Sequence, residues 1–171
     1  MDPTVKREEV FQWVEEGDDF SLKIKKNVTE DTESGSVFVD SLKESGYVVS
    51  EQASGILLRD IGRNYIRYFT FHILKTIFKP NIKQMVYIGV ELQDLKLPDP
   101  KTVRFFFETL RTGDMEKMGL NTIILPCEEK IRGGMFCRLI VRKKGDFLTI
   151  GTYIEEKKDK WNNGTGFLFV E

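Results

Sequence analysis

The sequence predicts a single α+β domain, and two segments carry this prediction. In the first, residues 135–154, two apolar runs flank a Lys-Lys-Gly-Asp link that contains Gly145. Both runs place apolar side chains on both faces, so we expect a β-hairpin in the middle of a sheet that is covered on both sides. In the second, residues 100–112, Asp99 can cap a helix and Pro100 suits its first turn. The apolar stripe of this helix comprises Val103, Phe106, Phe107 and Leu110.

Composition and charge limit the classes of protein that the chain can belong to. A length of 171 residues with 40% hydrophobic content is enough to bury a core without metal or disulfide. The 26 basic and 27 acidic residues nearly cancel, so a nucleic-acid or lipid partner must bind a local patch. The two cysteines, Cys127 and Cys137, form neither a disulfide framework nor a paired zinc motif. No apolar run reaches the roughly 18 residues of a membrane span, so we expect a protein that is not secreted.

The first 19 residues are predicted to form a separate N-terminal helix. Asp2 can cap this helix, and Phe11 and Trp13 belong to its apolar stripe, which ends before Gly17. Aromatic side chains on a short terminal helix often dock onto a neighbouring molecule, so Phe11 and Trp13 are candidate self-association residues. Docking onto the protein's own core is the alternative. Residues 20–171 are predicted to form the single α/β domain.

The remaining elements are predicted from hydrophobic periodicity. Residues 54–79 carry apolar side chains at helical spacing, which favours a buried central helix, although a strand stays open for part of this segment. Residues 85–92 read as a buried strand that shares a sheet with the hairpin beneath helix 100–112. The other predicted elements are a strand at 20–25, a loop at 28–36, short strands at 37–39 and 47–49, a turn at 114–118, and strands at 121–125 and 166–170.

The sequence offers little catalytic chemistry. His72 is the only histidine and lies among apolar residues, which favours a packing role over a catalytic base. Cys127 and Cys137 have no second histidine, acid or cysteine at ligand spacing, so they are interpreted as small packed side chains. The glycines form neither a P-loop nor a dinucleotide-binding pattern. No catalytic residue, metal site or cofactor is therefore predicted, and an enzyme without familiar motifs is the least favoured class.

Two groups of basic residues are candidate anion contacts. Arg59, Arg63 and Arg67 recur every four residues, which on a helix aligns three guanidinium groups along one stripe. Such a stripe can meet phosphates or the carboxylates of a partner; a solvated face, or internal salt bridges, is the structural alternative. The second group, Arg142, Lys143 and Lys144, lies at the tip of the hairpin and is a candidate secondary contact. Lysines at turns also serve solubility and protect strand edges.

Three segments resemble, in their order, those of rhabdovirus matrix proteins. They are MVYIG at 85–89, VRFFFETLRTG at 103–113, and MFCRLIVRKKG at 135–145 followed by an apolar strand. The resemblance covers less than half of the chain, and the length suits the shorter matrix proteins of plant-infecting rhabdoviruses. It implies a mostly antiparallel, open-barrel-like sheet with helices packed against it.

The resemblance also implies a function. The chain would be a non-enzymatic viral structural protein that self-associates and links the ribonucleoprotein to the membrane. Its partners would be further copies of itself, the viral nucleocapsid or RNA, and an anionic membrane surface, with no small-molecule substrate. It would lie in the cytoplasm, at the inner face of the membrane or in the virion. The alternative is a nucleic-acid-binding or protein-binding module that uses the basic stripe of Arg59, Arg63 and Arg67.

Overall fold

A seven-stranded sheet organises the part of the chain that the structure, a computed structural model, describes. The described residues are 11–13, 35–58, 71–76, 81–130, 136–154, 161–162 and 164–171. The strands are β1 (Phe11–Trp13), β2 (Tyr47–Val49), β3 (Phe71–Thr76), β4 (Thr122–Lys130), β5 (Phe136–Lys144), β6 (Phe147–Ile154) and β7 (Thr165–Val170). The helices are α1 (Gly35–Glu44), α2 (Glu51–Leu57), α3 (Ile82–Val86), α4 (Pro100–Thr109) and α5 (Thr112–Lys117), with a π-helix at Tyr87–Leu92.

The order of the strands is β1-β3-β7-β4-β5-β6-β2. The pairs β2–β6 and β4–β7 are parallel, whereas the other four neighbouring pairs are antiparallel. The predicted α+β class is therefore confirmed. The mostly antiparallel, open-barrel-like sheet is wrong, because the sheet is mixed and does not close: the short strands β1 and β2 lie at opposite edges.

The predicted hairpin is confirmed. Strands β5 and β6 pair antiparallel up to Lys144 and Phe147, and Gly145 has a φ of 60° in the turn. Leu139 and Ile140 are both buried but belong to different hydrophobic clusters, one on each side of the sheet. Since β4 and β2 flank the hairpin, it lies inside the sheet, as its two-sided apolar pattern requires.

Four helices cover one side of the sheet, which we call the four-helix face. Helix α4 begins at a capping box in which Thr102 N–H donates to Asp99 Oδ1 at 2.9 Å and Asp99 N–H donates to Thr102 Oγ1 at 2.8 Å. Its predicted apolar stripe is fully buried: Val103, Phe106, Phe107 and Leu110. The helix ends at Thr109 rather than at residue 112, because Leu110 is extended and a new helix, α5, begins. The predicted turn at 114–118 therefore belongs largely to α5.

The opposite side of the sheet is the π-helix face, and the predicted strand at 85–92 is wrong there. Asn81 and Gln84 form a capping box, with Gln84 N–H donating to Asn81 Oδ1 at 2.9 Å, and α3 runs from it directly into the π-helix. Met85 and Ile88 are buried three residues apart, as expected for one side of a helix. The β-prone composition of this run was the misleading signal, whereas the cap at Asn81 marks the helix.

The predicted helix at 54–79 is also wrong for the described residues that follow α2. Residues Phe71–Thr76 form β3, between β1 and β7, so the strand alternative is correct for this part. Phe71 and Ile73 lie on the four-helix face and Leu74 on the π-helix face. A run that is buried on both sides lacks the alternation of a half-exposed strand, which explains the error.

The N-terminal expectations have mixed outcomes. Phe11–Trp13 form the edge strand β1 rather than part of a helix, because their backbone pairs with β3. Residues 37–39 belong to α1, not to a strand, and the predicted loop at 28–36 overlaps this helix at its last two residues. The short strand at 47–49 is confirmed, as are the strands at 121–125 and 166–170 with slightly different bounds. The strand at 20–25 lies outside the described residues.

Candidate functional site

The tip of the hairpin and the neighbouring strand β2 together present five side chains on the π-helix face of the sheet. Cross-strand partners share a face, and the register places Arg142 opposite Thr149 and Lys144 opposite Phe147. Val48 of the edge strand β2 lies on the other side of Thr149. We call this surface, formed by Val48, Arg142, Lys144, Phe147 and Thr149, the hairpin face.

The helices leave the hairpin face uncovered. Val48 is 55% exposed and Phe147 is 44% exposed, and both cationic side chains are exposed. Ile140, two residues before Arg142 on the same strand face, is fully buried in the cluster beneath the π-helix. The cover of the π-helix face therefore ends between Ile140 and Arg142, and the hairpin face begins there.

Successive side chains of β5 point to opposite faces of the sheet, so the predicted basic cluster is divided between the two faces. Lys143 points to the four-helix face, where its Nζ lies 2.5 Å from Glu116 Oε1 of α5. Arg142 and Lys144 point to the hairpin face and make no ion pair with any described residue. The acidic residue nearest in sequence is Asp146, in the exposed turn. Two of the three predicted secondary contacts thus share one surface and form no described ion pair, whereas the third pairs with Glu116 within the fold.

An aromatic pair lies at the far end of the same strand face. Tyr153 of β6 packs edge to face against Trp161, with ring centroids 4.8 Å apart, and both residues are half-buried. Opposite Tyr153, Arg138 is almost fully buried and donates from Nη1 to the Pro126 carbonyl oxygen at 3.2 Å. Arg138 therefore stabilises the sheet from within, and the exposed cations that the structure describes on strands β5 and β6 of this face are those at the tip.

No protein-family model matches the chain. Neither a curated protein nor a solved structure matches it. The similarity to rhabdovirus matrix proteins therefore stays a hypothesis. None of the described helices is long and apolar enough to cross a bilayer.

The other predicted contact residues lie elsewhere or outside the described residues. Arg59, Arg63 and Arg67 fall outside the described residues, so the arginine stripe stays a prediction. Phe11 and Trp13 lie at the edge of the sheet, where their backbones pair with Thr76 and Leu74. Sequence reasoning missed Phe147, Thr149 and Val48 as companions of the basic residues. The alternation along the hairpin was the signal that could have grouped Arg142 and Lys144 with Phe147 and separated Lys143 from them.

The Tyr47 side chain has a structural role. The Tyr47 hydroxyl lies 2.6 Å from the Leu110 carbonyl oxygen and 3.0 Å from that of Phe107, at the end of α4. Burial raises the pKa of Tyr47 well above its usual value, and the nearby Arg111 acts in the opposite direction. The neutral phenol is therefore the form that holds β2 against α4.

The predicted packing residues show no catalytic grouping in the described part of the chain. His72 lies on β3 rather than on a helix, and its Nε2 is 3.7 Å from Glu171 Oε2. Cys127 and Cys137 lie on the paired strands β4 and β5. Among the described residues, no three potential metal ligands come together.

Proposed function

We propose that the chain is a non-enzymatic binding protein whose hairpin face contacts the phosphate groups of RNA. The observation that carries this proposal is the pair of exposed cations, Arg142 and Lys144, which lie on one open strand face and form no ion pair with a described residue. The overall charge of the protein is close to zero, so a local patch of this kind is what a polyanion can recognise. The class of function is the nucleic-acid-binding alternative predicted above, with the contact placed on a sheet rather than on a helix.

The geometry suits phosphate for two reasons. Residues two apart on a strand lie about 7 Å from each other on the same face, so Arg142 and Lys144 can reach two different phosphate groups of one strand. The guanidinium fork of Arg142 can donate two parallel hydrogen bonds to one phosphate, and Lys144 adds a compact positive charge. In addition, both side chains extend from backbone that is already hydrogen-bonded within the sheet, so less conformational entropy is lost on binding.

The double substitution Arg142→Gln and Lys144→Gln is expected to reduce the salt dependence of RNA binding. Each phosphate contact contributes about 0.7 to the slope of log K against log salt on single strands, so the slope should fall by about 1.4. Fluorescence anisotropy of a labelled single-stranded RNA, titrated from low to physiological salt, measures this change.

The matched control is Lys143→Gln. Lys143 is a neighbour in sequence but pairs with Glu116 on the opposite face, so its loss should leave the slope unchanged. Circular dichroism establishes that each variant is folded. Absence of RNA binding by the wild type at low salt, or an equal slope in the folded double variant, would refute the proposed contact.

The edge strand β1 favours a second function, that of a viral matrix-type structural protein that self-associates. Among the described strands β1 lies at one edge of the sheet, and edge strands are templates for pairing with another chain. In this second proposal the protein links the ribonucleoprotein to an anionic membrane surface and lies in the cytoplasm, at the inner face of the membrane or in the virion. Phe11 and Trp13 are the proposed self-association residues.

Self-association is expected to depend on β1. Static light scattering across a range of concentrations should show a rising mass for the wild type and a monomer for Phe11→Ser combined with Trp13→Ser. Val48→Ser, at the opposite edge of the sheet, is the control and should behave as the wild type. A wild type that stays monomeric at every concentration, or oligomers that persist in the folded double variant, would exclude this function.

A further inference from the structure

We infer that the hairpin face selects single-stranded over double-stranded nucleic acid, because Phe147 provides a platform on which an unpaired base stacks. This inference rests on the proposed function and specifies the form of its ligand. Phe147 is uncharged and belongs to neither of the basic groups that the sequence shows.

The position of Phe147 sets it apart from the phenylalanines of β3 and β7. Phe71, Phe167 and Phe169 are almost fully buried, whereas Phe147 is 44% exposed at the first position of β6. Its direct cross-strand partner is Lys144, so an exposed ring and an exposed cation stand side by side. A nucleotide presents the same two features, an aromatic base and a charged phosphate, to a surface of this kind.

On this face β6 stays partly exposed beyond Phe147, at Thr149, Gly151 and Tyr153, although Ile140 and Arg138 of the neighbouring β5 are buried. Gly151 lies on the same strand face, and only Ile140 Cγ2, at 3.8 Å, would come close to a Cβ built at this position. Tyr153 and Trp161 close the far end of the face. Tyr153 lies six positions after Phe147, which corresponds to about 20 Å along a strand. The partly exposed strip of β6 from Phe147 to Tyr153, which we call the channel, therefore has an aromatic residue at each end and cations beside the first.

The channel explains why the ligand is single-stranded. In a duplex the bases stack on one another and their faces are inaccessible, so Phe147 could meet only the backbone. In a single strand every base exposes a face, and stacking on aromatic side chains tolerates any sequence. A channel of this length takes roughly four nucleotides, the lower end of the site sizes that compact single-strand-binding domains show.

The test compares Phe147→Ala with Phe147→Trp in the full-length chain, using labelled oligonucleotides of two to eight nucleotides and a blunt duplex of the same sequence. Phe147→Ala should weaken binding of the single strand about 10-fold or more, as loss of one base–aromatic stack does, and should weaken binding of the duplex much less. Phe147→Trp should retain affinity, because tryptophan also stacks. Leu58→Ala, which removes a side chain of similar exposure from the end of α2, is the control and should have no effect.

A second variant tests the channel without removing an aromatic ring. Gly151→Thr places a branched side chain in the channel and should weaken the binding of four or more nucleotides more than that of two. If the wild type binds no nucleic acid at low salt, both the inference and the proposed function fail. If Arg142 and Lys144 set the salt slope but single strand and duplex bind equally well, or Phe147→Ala binds like the wild type, the inference alone is overturned.

Discussion

Phe106→Ala is expected to lower the free energy of unfolding by about 3 to 5 kcal/mol, the range for a buried phenylalanine reduced to alanine. The Phe106 ring is fully buried in the cluster between α4 and the four-helix face of the sheet. It packs edge to face against Phe71 of β3, with ring centroids 5.5 Å apart, and is tilted against Phe107 at 5.9 Å. Removing the ring leaves a cavity between two layers that are tied together by other contacts, so the site cannot simply collapse.

Urea unfolding measured by circular dichroism gives this free energy, and the hairpin supplies the matched control. Phe147→Ala is the same substitution at a half-exposed ring on the uncovered face, so its cost should stay below about 1 kcal/mol, as for a surface substitution. Equal costs at the two positions, or a loss below about 1 kcal/mol for Phe106→Ala, would show that α4 does not cover the sheet as described.

Gly89→Ala is expected to destabilise the protein by about 3 kcal/mol, near the top of the usual range for overpacking a core. A Cβ at this position would overlap the ring of Phe169, which is itself fully buried near the end of β7. Neither partner can move freely, because Gly89 lies within the π-helix and Phe169 belongs to the cluster that joins this helix to the sheet.

Gly55→Ala is the control for the glycine substitution. Gly55 lies in α2, and no neighbouring atom lies within 4 Å of a Cβ built there. Alanine is the better helix former, so this variant should be more stable than the wild type by about 0.5 to 1 kcal/mol. The two substitutions therefore differ in sign in the same thermal or urea unfolding experiment. A Gly89→Ala variant as stable as the wild type would mean that the π-helix does not pack on Phe169.

The candidate site was only partly predictable from the sequence. Arg142, Lys143 and Lys144 were identified as one basic cluster, but consecutive residues on a strand point to opposite faces. The partner of Lys143, Glu116, lies 27 positions earlier in the chain on another element, and no local pattern connects the two. The exposure of Phe147 likewise depends on where the cover of the π-helix face ends, which is a property of the packed layers.

The sequence by itself determined the elements whose signals are local. The capping box at Asp99, the apolar stripe of α4 and the turn at Gly145 each arise from residues within a few positions of one another. Local hydrogen bonds and a single buried side of a helix have a periodicity that a one-dimensional pattern retains. The two-sided apolar alternation of β5 and β6 also placed the hairpin inside the sheet correctly.

Only the tertiary structure decided whether an apolar run without a clear hydrophobic period forms a strand or a helix. Residues 71–76 and 82–92 have comparable hydrophobicity, yet the first is the strand between β1 and β7 and the second is helical. Burial on both sides of a strand removes alternation, so the choice depends on which backbone partners are available in the folded chain. For β3 those partners are β1 and β7, whose residues lie about 60 and 95 positions away in the sequence. Contacts of that range are formed by the fold as a whole, and no short stretch of sequence encodes them.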